Sequence, residues 1–109
     1  TDPVAGWFHV ASLASQLGRS ERDWRLGLEA CDELEALIPG RDDAADRQRG
    51  QLWHRAQALF RLERLDEARP ILQSLASGSD TWSLSARQLL AARDFTGNAK
   101  QLLIRPSDL

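Results

Sequence analysis

Tyrosine and methionine are missing from this 109-residue chain, cysteine and lysine occur once each, and valine and isoleucine together supply five residues. Each shortage excludes something. One thiol cannot close an internal disulfide, and two histidines cannot complete a tetrahedral zinc site without carboxylate help. The scarcity of β-branched residues and tyrosine argues against strands. No apolar run approaches the ~18 residues of a membrane span, so direct membrane insertion is not expected. Thr1-Asp2-Pro3 is neither a signal peptide nor an ordinary initiator, and the chain reads as a piece of something longer. The balance of 14 basic against 16 acidic residues argues against a general polyanion binder, so nucleic acid is not the expected partner. Catalytic templates are lacking as well: there is no Gly-x-Ser-x-Gly, no phosphate-cradling glycine-rich loop before a helix and no His-Glu-x-x-His. The expectation is a non-enzyme without metal or cofactor.

What is present is helix-forming. Eighteen leucines and fifteen alanines predict an all-α chain. The thirteen arginines point to a GC-rich, bacterial source, and they make nearly every basic group a planar, permanently charged fork. Glycine and proline punctuate segments in which apolar residues recur every three to four positions. Asp2-Pro3 reads as N-cap and first helical position of a helix over about 3–17, ended by Gly18. Ser20 caps a second helix, with Asp23 three residues on, and Trp24, Leu28, Cys31, Leu34 and Ile38 form its buried face before Pro39-Gly40. Arg41-Asp42-Asp43 is a loop with a capping carboxylate, and the third helix runs to about Leu62 with polar early turns. A fourth helix spans about 66–76, with Pro70 near its first turn. Ser77-Gly78-Ser79-Asp80 is a turn and cap for a fifth, and a short sixth is expected over about 97–104, before Pro106. Short loops between helices describe antiparallel hairpins.

The chain also resembles itself. A shift of 45 residues places Phe8-His9-Val10-Ala11 on Trp53-His54-Arg55-Ala56, and Leu17-Gly18-Arg19 on Leu62-Glu63-Arg64. A shift of 30 places Ala56 and Leu59 on Ala86 and Leu89. Such a unit cannot bury its apolar face alone, so neighbours must stack. The stretch from Leu52-Trp53-His54-Arg55-Ala56 through Leu65-Asp66-Glu67-Ala68 resembles a tetratricopeptide repeat, in which a helix A is followed by a large residue, an acidic residue, Glu and Ala opening helix B. Trp7 and Trp82 stand where that family has its helix-A tryptophan, and Ala11 and Ala86 at its small packing position. Asp94-Phe95-Thr96-Gly97-Asn98-Ala99 is similar to a second helix-B entry. Departures are Asp23 in place of the helix-B alanine, Ser20 in place of a large residue, and a first pitch longer than the usual ~34 residues.

The resemblance implies a single domain of antiparallel helical hairpins stacked as a short solenoid of about three pairs, with units near 3–39, 43–77 and 79–104. It implies a scaffold that binds a partner peptide or helix in a groove lined by helix-A residues. Carried over by position, the groove residues are Phe8, Ser12, Ser15 and Gln16, then Trp53, Gln57, Phe60 and Arg61, then Ser83 and Arg87. Members that grip a terminal carboxylate use Lys and Asn where this chain has Phe8, Ser12, Trp53 and Gln57, so that clamp is not expected. Arg61 and Arg87 are suited to fork to a partner's carboxylate; the plainer reading pairs them with Glu63 or Asp94. For Phe8 and Trp53 the plainer reading is packing against the adjacent repeat.

Other constellations are read as structural. His9 and His54 fall at equivalent repeat positions without a third ligand, and both are expected on or near the core. Cys31 is expected to be a small buried thiol. The carboxylates Glu29, Asp32, Glu33 and Glu35 read as a solvated helix face. The arginines 41, 47, 49, 55 and 61 are interleaved with Asp42, Asp43 and Asp46, which spoils them as a nucleic-acid platform. Leu102, Leu103 and Ile104 make an apolar C-terminal edge that suits further repeats or a homo-oligomer. The alternative to a binding scaffold is a structural spacer or dimerisation segment of a larger, envelope-associated bacterial protein.

Overall fold

The helix ends follow local chemistry. In the computed structural model, which describes residues 2–92, Asp2 accepts a hydrogen bond from the Val4 amide at 3.0 Å and Pro3 opens α1 (Pro3–Leu17). The helix stops at Gly18, whose amide donates to Ala14 O at 3.2 Å. A Cβ on Gly18 would lie 2.3 Å from that carbonyl oxygen and 2.8 Å from the Asp23 side chain, so only glycine fits the turn. Ser20 Oγ accepts from the Asp23 amide at 3.2 Å to start α2 (Glu21–Leu37), and the Asp23 carboxylate reaches back to the Arg19 amide at 2.9 Å. Gly40, at φ 90°, turns the chain towards α3 (Ala44–Arg61).

Two details differ from expectation. Asp43 makes no side-chain cap to α3, because its carboxylate is taken by Arg41 at 2.8 Å and Arg47 at 3.2 Å. Pro70 sits in the second turn of α4 (Leu65–Ala76), where it denies an amide to the Asp66 carbonyl. Both Pro70 and Asp66 are exposed, so water can serve that carbonyl. The α3–α4 turn places Glu63 at φ 62°, with the Arg64 amide returning to Leu59 O at 2.9 Å. Asp80 Oδ1 accepts from the Ser83 amide at 2.9 Å at the start of α5 (Thr81–Ala92). The expected sixth helix, the Asp94–Ala99 motif and the Leu102–Ile104 edge lie outside the described residues.

No strand occurs among the described residues, and all five elements are helices. Each helix packs on its neighbours in sequence, α1 also packs on α3, and α3 on α5, whereas the backbones of α2 and α4 make no close approach. Thus α1, α3 and α5 make one layer and α2 and α4 the other. The thinnest dimension, 19 Å, is that of two helices of about 10 Å each.

Two apolar cores result. Val4, Ala11, Ala30, Cys31, Leu34 and Ile38 close the α1–α2 hairpin. Ala56, Leu59, Ala68, Leu72, Leu75 and Ala86 join α3, α4 and α5. Each fully buried leucine contributes roughly 1.5–3 kcal/mol. Between the cores the contact is mixed: Gly27 brings α2 close to Ala14 and Ala58, Leu28 of α2 packs against the second core, and Ser15, Gln51 and His54 are buried.

Candidate functional site

The layer of α1, α3 and α5 offers a continuous face, and its centre is set by a missing side chain. Gly50, in mid-helix, leaves the space that the Phe8 and Trp82 rings fill; a Cβ there would lie 2.5 Å from Phe8 Cζ and 3.0 Å from Trp82 Cζ2. Phe8 meets His54 edge-on at 5.2 Å between centroids, and His54 meets Trp82 edge-on at 6.0 Å. One ring from each of three helices therefore tiles the middle of the face. Arg47 lies over the Phe8 ring at 5.1 Å, a cation–π placement, and Trp82 Nε1 donates to Asp46 at 3.1 Å.

Beneath this tile His54 is buried, at 3% exposure, with its Nδ1 3.4 Å from Ser15 Oγ. The Ser15 hydroxyl is also 3.3 Å from Ser12 O and 3.4 Å from Gln57 Oε1. Burial holds the His54 pKa below the usual histidine value, only partly offset by the Gln57 side chain, so the ring is neutral at pH 7. A serine beside a histidine has the outline of an activated nucleophile, but Ser15 is fully buried and no carboxylate orients the ring. A substrate cannot reach that hydroxyl. The pair holds α1 to α3.

The sequence-derived groove residues divide into three groups. Ser12 and Gln16 share an outward stripe of α1, joined by a 3.2 Å hydrogen bond, and half-buried Gln57 lies across from them on α3. Phe8, Trp53 and Phe60 are half-buried, Phe8 against the α1–α2 core and the other two against the α3–α5 core. Ser15 and Ser83 are fully buried, which leaves them no surface to offer a partner. Ser83 instead donates to Asp80 at 2.8 Å and accepts from Arg49 at 2.7 Å. Arg61 is exposed and lines a cleft of mixed charge with Glu21, Trp24, Arg25, Glu63 and Arg64 at the turn end of the array. Arg87 donates to the carbonyls of Ala76 at 2.8 Å and Gly78 at 3.1 Å and to no acidic side chain among the described residues, outside which Asp94 lies.

Gly50, Asp46 and Arg47 were not legible as parts of this face. A glycine in the middle of a polar helical stretch was the one available signal for the close ring packing. His9 is exposed and His54 buried, so the two histidines do not share an environment. Among the described residues no group of three His, Cys, Asp or Glu side chains could hold a metal ion. Cys31 is buried, its pKa pushed up to about 12 by desolvation despite nearby Arg55, which makes it an unreactive thiol. Among the described residues no helix is long and apolar enough to cross a membrane. No protein-family model, curated protein or solved structure matches the chain.

Proposed function

We propose that the chain is a non-catalytic protein-interaction module, a short array of helical hairpins similar to tetratricopeptide repeats that holds a partner peptide or helix along the α1/α3/α5 face. The observation that supports this most is the packing order: α1, α3 and α5 touch in series while α2 and α4 stay apart. Helices that touch on one side and splay on the other give an array that curves towards the touching side, and the first helix of each pair then lines the hollow. Ser12, Gln16, Trp53 and Gln57 are the contact residues this reading assigns. Affinity capture from lysate with the chain and with a Ser12→Arg/Gln16→Arg variant tests it. Both positions are open enough to accept the change without unfolding, as circular dichroism would verify. A partner retained by the parent chain and lost by the variant supports the groove; equal capture by both places binding elsewhere.

A second reading, a dimerisation or spacer segment, draws on a different surface. Leu13, Leu17, Leu26 and Leu37 of the first hairpin are 44%, 69%, 45% and 37% exposed. Leu13 and Leu17, one turn apart on α1, are the pair that would carry an interface between chains. Sedimentation equilibrium of a Leu13→Gln/Leu17→Gln variant separates the readings: a dimer that becomes a monomer favours the second, and a monomer throughout leaves the first.

A further inference from the structure

His54 is a titratable group buried where α1, α3 and α5 meet, and no residue there supplies it with a counter-charge. Phe8 and Trp82 close over the imidazole edge-on, at 5.2 and 6.0 Å between centroids, and leave it 3% exposed. The polar groups that reach the ring are neutral: Ser15 Oγ lies 3.4 Å from Nδ1, and the Gln57 side chain is the other partner. A charged imidazole carries two N–H donors and, when buried, needs an acceptor for each or a carboxylate beside it.

The charged groups of the surrounding helices are engaged elsewhere. α1 has no Asp, Glu, Lys or Arg, and its one histidine, His9, is exposed. At α5, Arg87 bonds the Ala76 and Gly78 carbonyls, and Asp80 before the helix holds Arg49. On α2, Asp32 and Glu35 are exposed and meet Arg55, and the Cys31 thiol lies on Gln51 O. On α4, Asp66 and Glu67 are exposed and pair with Arg69 and Arg64. Within α3, Arg61 lies in the cleft at the turn end, Arg47 covers the Phe8 ring, and Asp46 meets the tile through the Trp82 indole. Asp46 and Arg47, one of each sign, leave the tile without a net charge that would welcome a proton.

We propose that the Phe8–Trp82 tile is an acid-opened cover: a proton on His54 turns the imidazole towards water, and the two rings part while the five helices stay folded. Rings that meet at their edges, above a glycine at position 50, can part by side-chain rotation, whereas Leu72 and Leu75 deep in the second core take no part. The closed tile is the populated form above the ordinary histidine value of 6.5. Below it the uncovered ring binds the proton first, and the population shifts to the open form. In mild acid the centre of the α1/α3/α5 face thus gains a cation and loses its aromatic surface, whatever binds there.

Nuclear magnetic resonance of the chain from about pH 7.5 to about 4.5 follows both sides of the device, the His54 imidazole and the Trp82 indole N–H that donates to Asp46 in the closed tile. His9→Gln, at an exposed site, leaves a single imidazole to follow. One shared midpoint below 6.5 is expected, with protection of the Trp82 indole, corrected for the intrinsic exchange rate, falling about tenfold across it. Far-ultraviolet circular dichroism is expected to stay constant over this range, as is the Trp24 indole, which donates to Gly18 O. His54→Gln is expected to abolish the step, and Asp46→Asn, which keeps an acceptor for the indole and does not titrate, to retain it. A step that survives His54→Gln or vanishes in Asp46→Asn overturns the proposal, since another group would then carry the proton. Helicity that falls together with the indole signal overturns it too, because the domain would be unfolding as a whole. So does an indole that stays protected throughout, whether His54 titrates or not. If His54→Gln does not fold, the chain with His54 intact decides: imidazole and indole midpoints more than about half a unit apart overturn the coupling.

Discussion

Gly50 concentrates the packing logic of the α1/α3/α5 face in one missing methyl group. Alanine there gains up to about 1 kcal/mol of helix propensity, but its Cβ would sit 2.5 Å from Phe8 Cζ, and overpacking of this kind costs about 1–3 kcal/mol. Gly50→Ala is therefore expected to lower the urea midpoint and to alter the near-ultraviolet circular dichroism of the Phe8–Trp82 contact. A more stable variant with an unchanged spectrum would mean that the rings do not close on this glycine. His54 adds a pH dependence of definite sign. Its folded pKa is depressed below the ordinary 6.5, so in the window below 6.5 the unfolded chain binds the proton first. Stability is then complete above that value and falls as pH drops through it, and His54→Gln should flatten the slope between about pH 7 and 5. Asp43, held near pKa 2 by Arg41 and Arg47, and Asp80, lowered by Arg49 and Ser83, add a separate loss in stronger acid. Their contribution is present above the ordinary 3.8 and disappears as pH falls towards the folded values.

At the scale of the element, the apolar stripes decide stability. Leu72 and Leu75 of α4 are fully buried among Ala56, Leu59, Ala68 and Ala86, where small alanines let the helices approach and leave little room to collapse. Leu72→Ala is expected to cost about 2–5 kcal/mol in denaturant unfolding, and a loss below 1 kcal/mol would show that the α3–α5 core is loosely packed. The bounds of α1 were legible in the sequence because Asp2-Pro3 and Gly18 satisfy or break the helix ladder by local chemistry alone. The capping carboxylate expected from the 41–43 loop fails for the opposite reason: whether the carboxylate of Asp43, the residue at that cap, serves the α3 amides or Arg41 and Arg47 is a competition the residue string does not resolve. Pro70 is the sixth residue of α4, past the first turn, a position that a count from either Leu65 or Asp66 places in the second turn. Ser15 and Ser83 fell among the groove residues because a family position marks a side of a helix, whereas burial depends on what packs over that side.

For the whole molecule, two apolar cores joined by a polar seam imply uneven cooperativity. The seam rests on Ser15, His54 and Gln51, on a Cys31 Sγ contact to Gln51 O at 3.6 Å, and on the Arg55 bridge to α2, whose Nη2 is buried without a hydrogen bond. Apolar contacts also cross the joint, with Leu28 of α2 on the second core and Gly27 against Ala58, and the expectation is that the polar part makes it the weaker link between neighbouring units. Native-state hydrogen exchange should show Leu34→Ala lowering protection in α1 and α2 more than in α4 and α5. A uniform loss across all five helices would mean that the seam transmits the full folding free energy. The exposed leucines of the first hairpin belong to this scale too, since they are a property of a surface that two helices build.

Composition, helix punctuation and apolar period determined that this protein is helical and where four of its five described helices begin to within a residue, because these follow from backbone hydrogen bonding within a turn or two of chain. They did not determine which leucines go inside, since Leu17, on the apolar stripe of α1, is 69% exposed. The Phe8–His54–Trp82 tile over Gly50 and the burial of Ser15 were decided only by the tertiary structure. Each depends on residues dozens of positions apart meeting across packed helices, and a helix's own sequence shows which side is apolar without showing which neighbour will cover it.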